Sequence, residues 1–88
     1  MPPPAPLTRL RRHDAAHHDR VTDAVAAFLE HGEVSAAAEE LGVHPNTVRN
    51  RLQRARSACA VDVRDADVRL AVLLHLRLAE RTSPDVWD

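Results

Sequence analysis

The stretch VSAAAEELGVHPNTVRNRL, residues 34–52, decides the fold. Ala36, Ala37, Ala38 and Leu41 are strong helix formers, and Ser35 is placed to cap the short helix they make. Gly42 then stops it, because glycine enters the left-handed backbone region without steric cost. Val43 follows, and His44-Pro45 opens a second helix. Proline at a first helical position loses nothing, since that N–H would be unpaired anyway, and His44 falls at the capping position. Two helices joined by so tight a turn must pack closely. Close packing calls for a small residue midway along the first helix, which Ala38 supplies. It also calls for apolar residues facing inward, which Leu41, Val43, Val48 and Leu52 supply. The spacing predicts a helix-turn-helix over Val34 to Ala55. Any helical hairpin with a glycine turn gives a similar pattern, so the second helix has to decide between the two.

That helix is predicted from Pro45 to about Ala58. At about 3.6 residues per turn, with Val48 and Leu52 inward, its outer surface centres on Asn46, Asn50, Gln53 and Ser57. Thr47, Arg49 and Arg54 flank this strip, and Arg51 points to one side. No carboxylate occurs from Pro45 through Cys59. Asn and Gln bond adenine edges in pairs and Arg does the same with guanine, so the strip suits the major groove of double-stranded DNA. Arg51, Thr47 and the free N–H groups of the first turn suit phosphates. The expected DNA-binding set is His44, Asn46, Thr47, Arg49, Asn50, Arg51, Gln53 and Arg54. The plainer reading is a solvated arginine face, but acids normally intersperse such a face and here there are none.

Outward from this core, Val21, Ala24, Val25, Phe28 and Leu29 draw one apolar stripe on a helix that Gly32 ends. After a loop with Asp62 and Asp65, a helix capped by Asp65 is predicted from about Ala66 to Ala79. The fold class is all-α, a small bundle of four to five helices. Residues 1–19 read as a flexible tail of Pro, Arg and His, although part of Leu7 to Asp19 could fold back as a helix. Residues 20–81 read as the DNA-binding domain, and residues 82–88 as a frayed C-terminus. In the last helix Leu70, Val72, Leu73, Leu74, Leu76 and Leu78 cover most of the circumference, which marks it as buried or paired. Either it is the central core helix, or its Leu70–Leu78 segment meets a second copy or a separate domain.

Composition bounds the rest. Among 88 residues, aromatics are 2% and glycines two, so Leu, Val and Ala must build the core. The twelve Lys+Arg are all Arg, and each basic contact is therefore a forked, permanently charged guanidinium. The net charge of −1 hides an asymmetry. Residues 42–56 hold Arg49, Arg51, Arg54 and Arg56 with no acid, whereas residues 21–41 hold five acids and no Arg. Nucleic acid responds to the local patch, not to the total.

Cys59, the single cysteine, excludes an internal disulfide and a Cys-rich zinc site. No apolar run reaches the roughly 20 residues of a membrane span, and the Met1-Pro2-Pro3-Pro4 start resembles no signal peptide, so a cytoplasmic location is expected. His13 and His17, at i and i+4 beside Asp14 and Asp19, could chelate a metal on a helix, but a Pro-led polar tail would not preorganise them. No metal and no cofactor is expected. An enzyme is not expected either, for want of a Gly-rich phosphate loop, a nucleophile with a His partner, or volume for a pocket. The rival class is a helical module for protein–protein interaction or assembly, which steep salt dependence would exclude.

Residues 34–52 also resemble the C-terminal helix-turn-helix of PucR/CdaR-type bacterial transcriptional regulators, itself similar to that of Fis. Ala27 to Gly32, Asp62 to Asp65, and Arg69-Leu70 match that domain in order and spacing, so the resemblance spans about residues 21–80. It implies a four- or five-helix DNA-binding module, usually a dimer or larger assembly attached to an N-terminal sensory region. Position by position, Asn46, Thr47, Arg49 and Arg51 match the family's recognition-helix residues and His44 its cap. Pro45 stands where the family usually has Arg, and Asn50 where it has Tyr. No sensor domain precedes residue 20, which implies an excised module or a stand-alone small protein.

Overall fold

A computed structural model describes residues 2–81, all of whose regular structure is helical. The order is α1 (Pro6–His17), α2 (Val21–His31), α3 (Val34–Leu41), α4 (Pro45–Cys59) and α5 (Ala66–Arg81). Gly32 at φ 80° and Gly42 at φ 67° end α2 and α3 in the left-handed region, as their positions in the sequence require. The His44 ring accepts the Asn46 N–H at 3.0 Å and so caps α4. Asp65 caps α5 by accepting the N–H groups of Asp67 at 2.9 Å and Val68 at 3.3 Å. Ser35 caps nothing: α3 already begins at Val34, and Glu33 stands at its cap without a side-chain bond.

Two apolar clusters hold the helices together. The first joins Ala27, Ala37, Ala38 and Val48, with Phe28, Leu41 and Val43 packed against it, and it locks α2, α3 and the start of α4. The second joins Leu7, Leu10, Val21, Val25, Ala55, Cys59, Val61 and Val72. Leu52 touches both clusters, which places α4 at the junction of the bundle. On α5, Val72 is buried and Leu76 leans on the core, whereas Leu70, Leu74 and Leu78 are 59%, 55% and 60% exposed. That helix is therefore neither central nor wholly peripheral.

The flexible-tail reading of residues 1–19 is corrected. The proline run stops where the helix starts: Pro6 occupies a first-turn position of α1, where its missing N–H and fixed φ do no harm. Leu7 and Leu10, three apart on one face, are 1% and 0% exposed. Polar composition suggested disorder because it offers only these two large apolar side chains. Both, however, enter the second cluster completely. Residues 82–88, expected to fray, lie outside the described residues. No helix among the described residues is long and apolar enough to cross a membrane.

Candidate nucleic-acid interface

Backbone bonds close the turn between α3 and α4. Gly42 N–H donates to the Glu39 carbonyl at 3.3 Å and Val43 N–H to the Ala38 carbonyl at 3.0 Å. A Cβ added at Gly42 would meet no atom within 4 Å, so glycine is favoured there by its positive φ and not by lack of room. Ala37 and Ala38 are buried against Val48, and these small side chains bring α3 and α4 close. His31 of α2 meets Glu40 of α3 at 3.0 Å, which ties the hairpin to the helix before it.

The helical register places Val48, Ala55 and Cys59 inward and fully buried, with Leu52 half-buried beside them. Asn46, Arg49, Asn50, Gln53, Arg54 and Ser57 are exposed, while Thr47 and Arg51 are half-buried on its flank. The outer surface expected from the sequence therefore exists as one strip. Arg49 donates to the Asn46 Oδ1 at 2.8 Å, one turn apart, so a guanidinium and an amide are presented as a braced pair. His44 contributes by capping: its ring accepts the Asn46 N–H at 3.0 Å, and its carbonyl accepts the N–H groups of Thr47 at 2.9 Å and Val48 at 3.4 Å. The first-turn donors of α4 expected to be free for phosphate are therefore already taken by His44.

Arg54 is the exception among the expected residues. Its Nε and Nη2 donate to the two oxygens of Asp19, each at 2.8 Å. The Asp19 side chain is only 14% exposed, and Arg54 holds its carboxyl well below the usual carboxylate range; the guanidinium is stabilised in turn. Asp19 also meets the His13 ring at 3.0 Å and accepts the Arg20 N–H at 2.8 Å. Reading α4 by itself could not reveal this partner, because Asp19 lies 35 positions away in the corner between α1 and α2.

The same corner gathers His13, Asp14 and Asp19, whose ligand-type atoms lie within 4.8 Å of one another. Each carboxylate already has donors. Asp14 accepts the N–H groups of Val21 at 2.9 Å and Thr22 at 3.0 Å, which caps α2, and Asp19 is taken by Arg54. The group works as a cap and an ion-pair corner, and a cation there would have to displace Arg54. Cys59 is buried beneath α1, and burial pushes its thiol up, away from the range of a reactive thiolate.

Comparison with known proteins agrees with this architecture. The sequence profile described as the PucR C-terminal helix-turn-helix domain matches residues 21–78. The chain is 25% identical over 73 residues to the DNA-binding transcriptional activator AdeR of Bacillus subtilis (strain 168). That alignment covers 82% of this chain but 17% of AdeR, so the chain spans a small part of that relative's length. No solved structure matches it at a significant level. The profile covers α2, α3, α4 and nearly all of α5, and on that ground the chain belongs to the PucR C-terminal helix-turn-helix domain family.

Proposed function

We propose that this domain binds double-stranded DNA sequence-specifically as part of a transcriptional regulator, with α4 as the recognition helix in the major groove. One observation carries the reading: the exposed strip of α4 presents Asn46, Arg49, Asn50 and Gln53 with no acidic residue from Pro45 to Cys59. Asn46, Arg49, Asn50 and Gln53 are assigned to base edges. Thr47 and Arg51 are assigned to phosphates through their side chains. Family membership and the likeness to AdeR, a DNA-binding activator, support the same reading. The matched segment is 17% of AdeR, which supports a module that serves a longer regulator carrying a sensory region. Function in the cytoplasm, on the bacterial chromosome, follows from this reading, and neither catalysis nor a cofactor forms part of it.

The test is selection of bound duplexes from a random pool at two salt concentrations. Arg49→Ala and Asn50→Ala change the preferred sequence, each lost base contact being worth about 1–3 kcal/mol. Arg51→Ala weakens all sequences alike and flattens the dependence of log K on log salt by about 0.9. Unaltered preferences in both base-facing variants would remove α4 from the groove.

A homodimer is part of the proposal, with α5 as its surface. Leu70, Leu74 and Leu78 recur every four residues and are exposed by more than half. Pairing of two copies through this segment would present two recognition helices to half-sites about 34–36 Å apart. The same stripe favours the second reading, a helical module for protein–protein assembly with no direct contact to DNA. Salt separates them: arginine-mediated DNA binding weakens steeply as salt rises, and apolar docking does not.

A further inference from the structure

We propose that Asp19 is an internal competitor for DNA phosphate, which holds Arg54 against the protein and thereby withholds one cationic contact from the recognition surface. The inference rests on the DNA-binding reading of α4.

The geometry is that of phosphate recognition turned inward. Arg54 uses two parallel N–H groups, Nε and Nη2, to reach both oxygens of one carboxylate at 2.8 Å each. That fork-on-fork arrangement is also how guanidinium groups hold phosphates. Arg54 lies on the exposed side of α4, one turn beyond Asn50 and Arg51, and its side chain remains 45% exposed. It is thus within reach of a duplex backbone but already engaged.

The partner is firmly placed. Asp19 sits between two helices, accepts the Arg20 N–H at 2.8 Å, meets His13 at 3.0 Å, and is mostly shielded from water. Drawing Arg54 away would leave a shielded carboxylate with one neutral donor and a histidine, which is unfavourable. A phosphate on a mobile, hydrated backbone offers no such enclosure. The duplex therefore finds Arg49 and Arg51 available, and Arg54 occupied.

Asp19 lies outside residues 21–78, the part matched by the family profile. The family's helix-turn-helix is here trimmed by a residue that the segment before it contributes. Removing one cation weakens binding to all sequences alike, because phosphates carry no sequence information, and base contacts then decide more of the discrimination.

The experiment measures affinity of the whole chain for a duplex of random sequence across a salt series. Asp19→Asn keeps an acceptor for the Arg20 N–H but removes the charge that holds Arg54. It is expected to bind more tightly and to steepen the slope of log K against log salt by about 0.9. The ratio of variant to parent affinity then grows about 3.5-fold between about 200 mM and about 50 mM salt. Adding Arg54→Ala to Asp19→Asn is expected to abolish the gain. If Asp19→Asn binds like the parent, or if its gain survives in the double variant, the proposal is overturned. In the latter case the carboxylate acts by repulsion alone.

The parent protein supplies a measurement independent of any variant's folding. On addition of the duplex, the Arg54 Nε–H resonance is expected to keep its position while that of Arg51 moves. A displacement of Arg54 as large as that of Arg51 overturns the proposal. Absence of any salt-dependent binding by parent and variants would instead overturn the reading of α4 itself, and this proposal with it.

Discussion

Replacing Leu10 by Ala tests whether α1 belongs to the fold. Leu10 is 0% exposed and lies in the cluster with Val21, Val25, Ala55, Cys59, Val61 and Val72. Alanine is at least as good a helix former as leucine, so the substitution leaves helix propensity intact and acts on packing alone. Three carbons are lost, worth about 2.4 kcal/mol at roughly 0.8 kcal/mol each. The cavity adds to this, and buried Leu→Ala changes generally destabilise by about 2–5 kcal/mol. A loss of about 3 kcal/mol is a large share of the roughly 4–13 kcal/mol available to a chain of this size. For a domain of 60–100 residues it lowers Tm by about 12–24 °C. Thermal melts followed by far-ultraviolet circular dichroism measure it, with Arg11→Ala, exposed on the same helix, as the control expected to stay within about 0.5 kcal/mol. A Leu10→Ala protein that melts with its control would show that α1 contributes nothing, and the corner at Asp19 would lose its support.

Asp14→Ala removes the carboxylate that accepts the N–H groups of Val21 and Thr22, and destabilises by about 0.5–2 kcal/mol, as loss of a helix cap does; equal urea midpoints for variant and parent would count against it. Acid weakens the fold through Asp19. Its carboxyl is held below the usual range by Arg54, so in the native state it stays charged at pH values where the unfolded chain takes up the proton. The stability it contributes is complete above about pH 4, the unfolded value, and is lost as pH falls further toward the depressed native value. The difference in stability between the parent and Asp19→Asn is therefore largest near neutrality and closes below about pH 4; a difference that stays constant on acidification refutes the assignment. Asp62, drawn down to about 2 by Arg64, adds an acid dependence of the same sign, but it lies partly exposed at the surface and Asp19→Asn leaves it unchanged.

The parts of the fold that could be read from residues alone were those with local punctuation. Gly32 and Gly42 admit the positive φ that ends a helix, Pro45 behind His44 marks a helix start, and Asp65 caps the helix after it. Each acts within a few residues, so α2, α3, α4 and α5 were predicted within one or two positions at most ends. The exposed strip of α4 was equally legible, because register and the inward positions of Val48 and Ala55 dictate which side chains face out. Ser35 misled because Glu33 and Val34 lie in the same turn, and a cap position cannot be assigned from residue type when the helix starts one residue early. Arg54 was legible as outward but not as taken. Its partner is fixed by how α1 crosses α4, and no periodicity within either helix encodes that.

The treatment of α1 as a tail shows where composition misleads. Disorder is inferred from too little apolar surface to offset chain entropy, and Leu7 and Leu10 do look insufficient. The polar residues between and after them, however, meet groups that the rest of the bundle leaves unpaired. α4 ends with Ala60 at φ 55°, which returns the Val61 N–H to the Ala55 carbonyl at 3.0 Å. The Cys59 and Ala60 carbonyls are among those that a helix end leaves unsatisfied. Arg9 donates to them at 2.8 Å and 3.1 Å, and also to the Pro4 carbonyl. Asp14 takes the first N–H groups of α2, and Asp19 takes Arg54. Each of these bonds needs the partner helix as much as α1 does, so α1 and the end of α4 order one another. The proposed recognition helix, α4, is consequently fixed at its start by the Gly42 turn and at its end by a segment beyond the family's matched region, and on that proposal its aim toward DNA depends on both.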